Sequence, residues 1–219
     1  MKSFVKGLWS RTKSDPVARQ LDHPRSLQLG DYLKMSDSFG LPERLRDQVF
    51  EVAGVSTWQF EHQFETCFNL SSKDNDNIDL TIENESGRES ATFSISINRG
   101  IVTQVFDEDE FSLVFDDEQI ASLNTAQKLD LASWLSDRYV QQSNGERGYY
   151  YDKDCRAGKP SIYEGDGEPF DFYSLLSPDE SHGVEIAVYA SGETEVSLNL
   201  YRKIEDIAEL WPAANQENS

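Results

Sequence analysis

WQFEHQFETCFNL, residues 58–70, decides the fold. Trp58, Phe60, His62, Phe64, Thr66, Phe68 and Leu70 alternate with Gln59, Glu61, Gln63, Glu65, Cys67 and Asn69. An extended chain sends successive side chains to opposite faces, so this period of two predicts one long strand with an aromatic side and a polar side. Working outward, alternation recurs over 49–55, with Gly54 placed to bend the chain into the long strand, and over 78–82, 170–176, 184–190 and 194–201. SSKDNDN at 71–77, NESG at 84–87 and SGE at 191–193 supply turns between these runs. ATFSISI and IVTQVF, around Asn98, Arg99 and Gly100, predict a hairpin.

After a short apolar run at 111–115 the period lengthens. Ile120, Leu123, Leu131, Trp134, Leu135 and Tyr139 recur at helical spacings behind Asp116, Asp117 and Glu118. Acidic residues suit a helix N-terminus, so 116–142 is predicted to be a long helix covering one face of the sheet. A short helix over 204–211 ends at Pro212. The expected class is therefore α+β: a mainly antiparallel β-sheet, one long covering helix, a short C-terminal helix and an N-terminal amphipathic arm. Residues 1–26 read as arm and linker, 27–212 as a single domain, and 213–219 as a disordered tail.

The net charge of −20 is unevenly placed. Lys2, Lys6, Arg11, Lys13, Arg19 and Arg25 against Asp15 and Asp22 give the first 25 residues a balance of +4, which leaves −24 for the rest. Such a body repels nucleic acid and anionic lipid except through a local basic patch. The arm is that patch. Phe4 lies one turn from Leu8 and Val5 one turn from Trp9, with Lys2, Lys6, Arg11 and Lys13 able to meet anionic headgroups or an acidic protein. Two cysteines, Cys67 and Cys155, form no disulfide framework, and no stretch is apolar enough to span a bilayer as a helix. Both facts point to the cytoplasm, with weak peripheral membrane contact through the arm.

Motifs for chemistry are scarce. His23, His62 and His182 show no zinc spacing, and no CxxC, nucleophile elbow or phosphate-binding glycine loop is present. Residues 74–85 have the acidic start of a calcium loop but place Ile78 and Asp79 where an oxygen ligand and glycine are required. Asp107, Glu108, Asp109, Glu110, Asp116, Asp117 and Glu118 form an acidic patch that could dock a basic partner or simply solvate a strand edge. Tyr149, Tyr150 and Tyr151 with Lys153, Arg156 and Lys159 sit in an excursion over 144–167, the place where an unrecognised enzyme site would lie. No catalytic residue, metal ligand or cofactor is assigned.

The start MKSFVKGLW, the segment LQLGDYL and the acidic, β-rich body resemble the YjfK-type bacterial proteins, encoded near phage-shock-protein-A-like membrane-stress proteins. That resemblance implies a non-enzymatic accessory role near the inner membrane. A protein partner is the leading expectation, followed by an acidic mimic of nucleic acid that occupies a basic protein, and then by an enzyme.

Overall fold

The computed structural model describes residues 19–73, 77–85, 87–158, 160 and 166–213. These residues form eleven strands: β1 (Tyr32–Met35), β2 (Val49–Gln59), β3 (Phe64–Ser71), β4 (Asn77–Glu85), β5 (Arg88–Ile97), β6 (Ser122–Asn124), β7 (Arg138–Tyr151), β8 (Glu168–Leu176), β9 (His182–Tyr189), β10 (Thr194–Lys203) and β11 (Ile207–Trp211). They form one antiparallel sheet in the order β11-β1-β2-β3-β4-β5-β10-β9-β8-β7-β6. Thr57, Trp58 and Gln59 of β2 also pair with Tyr151, Tyr150 and Tyr149 of β7. That contact joins β2 to β7 around the intervening strands into a closed eight-stranded barrel.

Cross-strand register sorts the side chains into two faces. Phe68, Leu80, Phe93, Leu198, Ile186 and Leu175 share one face, and each is almost fully buried. They belong to a single apolar cluster with Leu21, Leu27, Leu41 and Leu45 from outside the strands, and with Val102, Val114 and Trp134. Glu65, Cys67, Asp79, Thr81, Ser94, Ser197, Glu185 and Ala187 share the other face, which lines a cavity together with Trp58, Phe60 and Phe172. Because that cavity is bordered by seven strands of the circuit, the polar face points into the barrel.

The stretch 58–70 is two strands. β2 stops at Gln59, the Phe60 N–H reaches back across a tight turn in donating to the Gln63 carbonyl at 2.9 Å, and β3 begins at Phe64. Trp58 then pairs with Glu65, so it looks into the barrel while Phe68 and Leu70 look out. Glu61, His62 and Gln63 carry no glycine, proline or asparagine to mark the reversal, and alternation runs through the turn undisturbed. Gly54 does mark a bulge: register shifts between Val52 and Gly54.

The long covering helix over 116–142 does not form. Its residues make β6, a 3-10 turn at Leu129–Leu131 and the start of β7. Leu123 and Tyr139 are cross-strand partners, so their common burial reflects a hairpin and not a helical face. Thr125 fixes that hairpin by donating its N–H to the Asp137 carbonyl at 3.0 Å and its hydroxyl to the Ser136 carbonyl at 2.7 Å. The C-terminal helix is likewise absent: a 3-10 turn at Ile204–Asp206 leads into β11. The 91–106 hairpin is replaced by β5 followed by α1 (Arg99–Val105), because the Asn98 side chain accepts from the Ile101 N–H at 3.1 Å and caps a helix. A second short helix, α2 (Glu108–Ser112), is capped by Asp107. The described residues thus form a mostly antiparallel β structure with short helices only.

Candidate ligand site inside the barrel

Two kinds of wall enclose the interior. On one side Trp58, Phe170, Phe172 and Phe60 lock edge to face, with ring centroids 4.8 Å apart for Trp58 and Phe170 and 5.2 Å for Phe60 and Phe172. Phe170 reaches over β7 because Gly148 lies beneath it; a Cβ there would stand 2.2 Å from the ring. The other side is polar, with Glu65 from β3, Asp79 from β4, Glu195 from β10 and Glu185 from β9. The enclosed space is about 60 Å³, room for about four water molecules.

The barrel also opens sideways. The β3–β4 ladder ends at Cys67 and Thr81, although β3 begins at Phe64 and β4 runs on to Glu85. A second cavity of about 430 Å³ occupies this gap, bordered by Phe64, Glu65 and Thr66 on one strand and Ile82, Glu83 and Asn84 on the other. Glu65 borders both spaces, so the gap lies against the interior. Arg25 and Arg156 flank it. Both are already committed: Arg25 pairs with Glu89, and Arg156 with Asp154 and the carbonyls of Arg25 and Leu27.

The barrel interior gathers carboxyl groups. Among the described residues no ion pair includes Glu65, Asp79, Glu185 or Glu195. Burial, with Glu185, Glu83 and Glu146 nearby, pushes the Glu65 carboxyl up to about 8. Burial, with Glu83 and Glu195 facing it, pushes Glu185 up to about 7, against some relief from Asn199. Asp79 is raised by burial although the Asn69 amide donates to it at 2.7 Å. Burial likewise keeps the Cys67 thiol protonated. Removing carboxylates from water without a cation is costly, and such groups accumulate where a site needs them. Among the described residues no His, Cys, Asp and Glu group is arranged to hold a metal ion.

Other residues singled out by sequence lie elsewhere. Lys2, Phe4, Val5, Lys6, Leu8, Trp9, Arg11 and Lys13 fall outside the described residues. Asp107, Glu108 and Asp109 are exposed on α2, where Asp107 accepts the N–H groups of Asp109 and Glu110. Glu110 accepts from Asn124, and Asp116 holds Glu118 and Gln119. His62 stands exposed in the β2–β3 turn. Much of the 144–167 excursion is β7 itself, with Tyr150 at the aromatic wall and Tyr151 donating to Gln59 at 2.8 Å. Asp74, Asn75 and Asp76 of the calcium-like segment are outside the described residues, while Ile78 is buried in the apolar cluster.

Glu65, Asp79, Glu185 and Glu195 were missed because each alternates with apolar residues, the ordinary signature of a solvent-facing side. A signal was there. The inward positions around the cavity, Glu65, Cys67, Asn69, Asp79, Thr81, Glu83, Thr92, Ser94, Ser96, Glu185, Glu195, Ser197 and Asn199, hold no lysine or arginine, and Arg88 and Lys203 of the same parity stand only at the ends of β5 and β10. A wet sheet face normally mixes both signs of charge.

Comparison with protein-family models, curated proteins and solved structures finds no match for this chain. Among the described residues no helix is long and apolar enough to cross a membrane. What fold and site define is a class: an antiparallel barrel with an acidic interior, an aromatic wall and a side opening.

Proposed function

We propose that this chain is a non-enzymatic binding protein whose barrel interior receives a positively charged group. The observation that carries this reading is the convergence of carboxylates from four strands on one cavity without a basic counterpart among the described residues. A bound cation would relieve the burial of those charges, and Trp58 and Phe172 offer ring faces and edges to its apolar part. The reading keeps the accessory role that the YjfK-type resemblance implies, with a cationic ligand or basic partner as the counterpart of the acidic body.

The test is thermal unfolding of the full chain at pH 8.5 in ethylammonium chloride, sodium chloride or ethanol, at matched ionic strength for the salts. A ligand that binds only the folded state raises Tm with concentration. Ethylammonium is expected to raise Tm above sodium chloride and ethanol, and Glu65→Gln with Glu185→Gln is expected to abolish the difference. Equal Tm in all three would sink the proposal.

A further inference from the structure

We infer that the interior selects a primary ammonium group on an unbranched aliphatic stem, with the ammonium among Glu65, Glu185 and Asn199 and the stem leaving between β3 and β4. This rests on the reading of the interior as a cation site and adds the chemical class of the cation.

The polar atoms around the cavity are mainly hydrogen-bond acceptors: carboxylates, and the hydroxyls of Thr81, Ser94 and Ser197, which can accept as well as donate. Some are already engaged, since Ser96 donates to Glu195 at 2.6 Å and Gln63 donates to Glu65 at 2.8 Å. Asn199 is different. It is fully buried on the inward face, opposite Ser94 and Gly183, and neither its amide nitrogen nor its amide oxygen completes a hydrogen bond. Its amide lies close enough to Glu185 and to the Tyr201 hydroxyl to ease both, but neither contact closes to hydrogen-bond geometry. A buried amide left open in this way is matched by a ligand that brings N–H groups.

A primary ammonium has three such donors, spread in three directions around one small atom. Carboxylates here approach from opposite walls, β3 and β9, which suits that spread better than the planar fork of a guanidinium. A quaternary ammonium brings no donor and would leave Asn199 and both carboxylates unmatched. With room for about four non-hydrogen atoms, the interior admits the ammonium and the first methylenes. The rest of the stem meets Phe64 and Ile82 in the larger side cavity.

Calorimetric titration of the full chain at pH 8.5 decides the matter, with n-butylammonium, tetramethylammonium, guanidinium and Nα-acetyl-lysine methylamide as probes. Butylammonium is expected to bind at least tenfold more tightly than tetramethylammonium or guanidinium, and Asn199→Ala is expected to narrow that ratio. Equal binding of acetyl-lysine methylamide would assign the site to a lysine of a partner; binding of butylammonium alone would assign it to a free amine. Either supports the inference. Binding should also weaken as pH falls from 8.5 to 6, because Glu65 and Glu185, faced by Glu83, Glu146, Glu195, Asp79 and Tyr201, take up protons over that interval. Tetramethylammonium or guanidinium binding as tightly as butylammonium would overturn the inference and leave a general cation site. No binding by any probe would overturn the cation reading itself.

Discussion

The two faces of this barrel do opposite work. The outward face carries Phe68, Leu80, Phe93 and Leu198 and is sealed by the chain's own peripheral segments, whereas the inward face sets carboxylates, hydroxyls and amides against an aromatic wall around a small cavity. Most small barrels fill their interior with apolar side chains and leave the outside wet. Here hydrophobic stabilisation has been moved outside the barrel, which leaves the interior free to hold groups that cost stability. Membrane barrels also turn apolar residues outward, but towards lipid; in this protein Leu21, Leu27, Leu41, Val102 and Trp134 occupy that position.

The largest effect that would test this contrast comes from neighbours on opposite faces of β5. Phe93→Ala should cost about 3–5 kcal/mol in urea unfolding, while Ser94→Ala should stay within about 0.5 kcal/mol; similar losses for both would break the distinction. Gly148→Ala should cost about 1–3 kcal/mol, since its Cβ would meet the Phe170 ring at 2.2 Å and that ring is wedged between Trp58 and Tyr189. An unchanged melting curve would mean that the aromatic wall is looser than described. The smallest effect has the opposite sign. Glu65 holds its proton more tightly folded than unfolded, so wild-type stability declines as pH rises from the ordinary value of 4.5 through about 8. Glu65→Gln lacks that proton and should match wild type near pH 4 but exceed it by about 1 kcal/mol at pH 9, after allowing for the water that reaches this side chain. A difference constant with pH would show that Glu65 is not held in a charge-poor interior.

Much of the sheet was legible because its strands alternate so regularly, and β2, β4, β8, β9 and β10 lie close to where alternation placed them. Errors came where two structures share one pattern. A turn made of Glu61, His62 and Gln63 preserves parity, so 58–70 reads as one strand when it is a hairpin. Leu123, Trp134 and Tyr139 are buried by a hairpin and tight turns, and their spacing imitates a helix. The site was illegible for a different reason. Sequence shows that Glu65, Asp79, Glu185 and Glu195 alternate with apolar neighbours, but closure by β2 and β7 decides that this polar side is the inside. Closure depends on three residue pairs at Trp58 and Tyr150, separated by more than ninety positions, which no local pattern announces.

Asp31 has a consequence for the order in which the chain can be built. It is almost fully buried and accepts from the Gln28 N–H, from Arg19 near the start of the described chain and from the Ala213 N–H near its finish. β11 pairs with β1, and β10 fills the place between β5 and β9. On a ribosome the first strands therefore emerge long before their last partners. The barrel closes only once β10 has been made, and the distance between partners along the chain favours slow folding. Until then Leu80 and Phe93 await their cover, a period in which a chaperone would find apolar strands to hold.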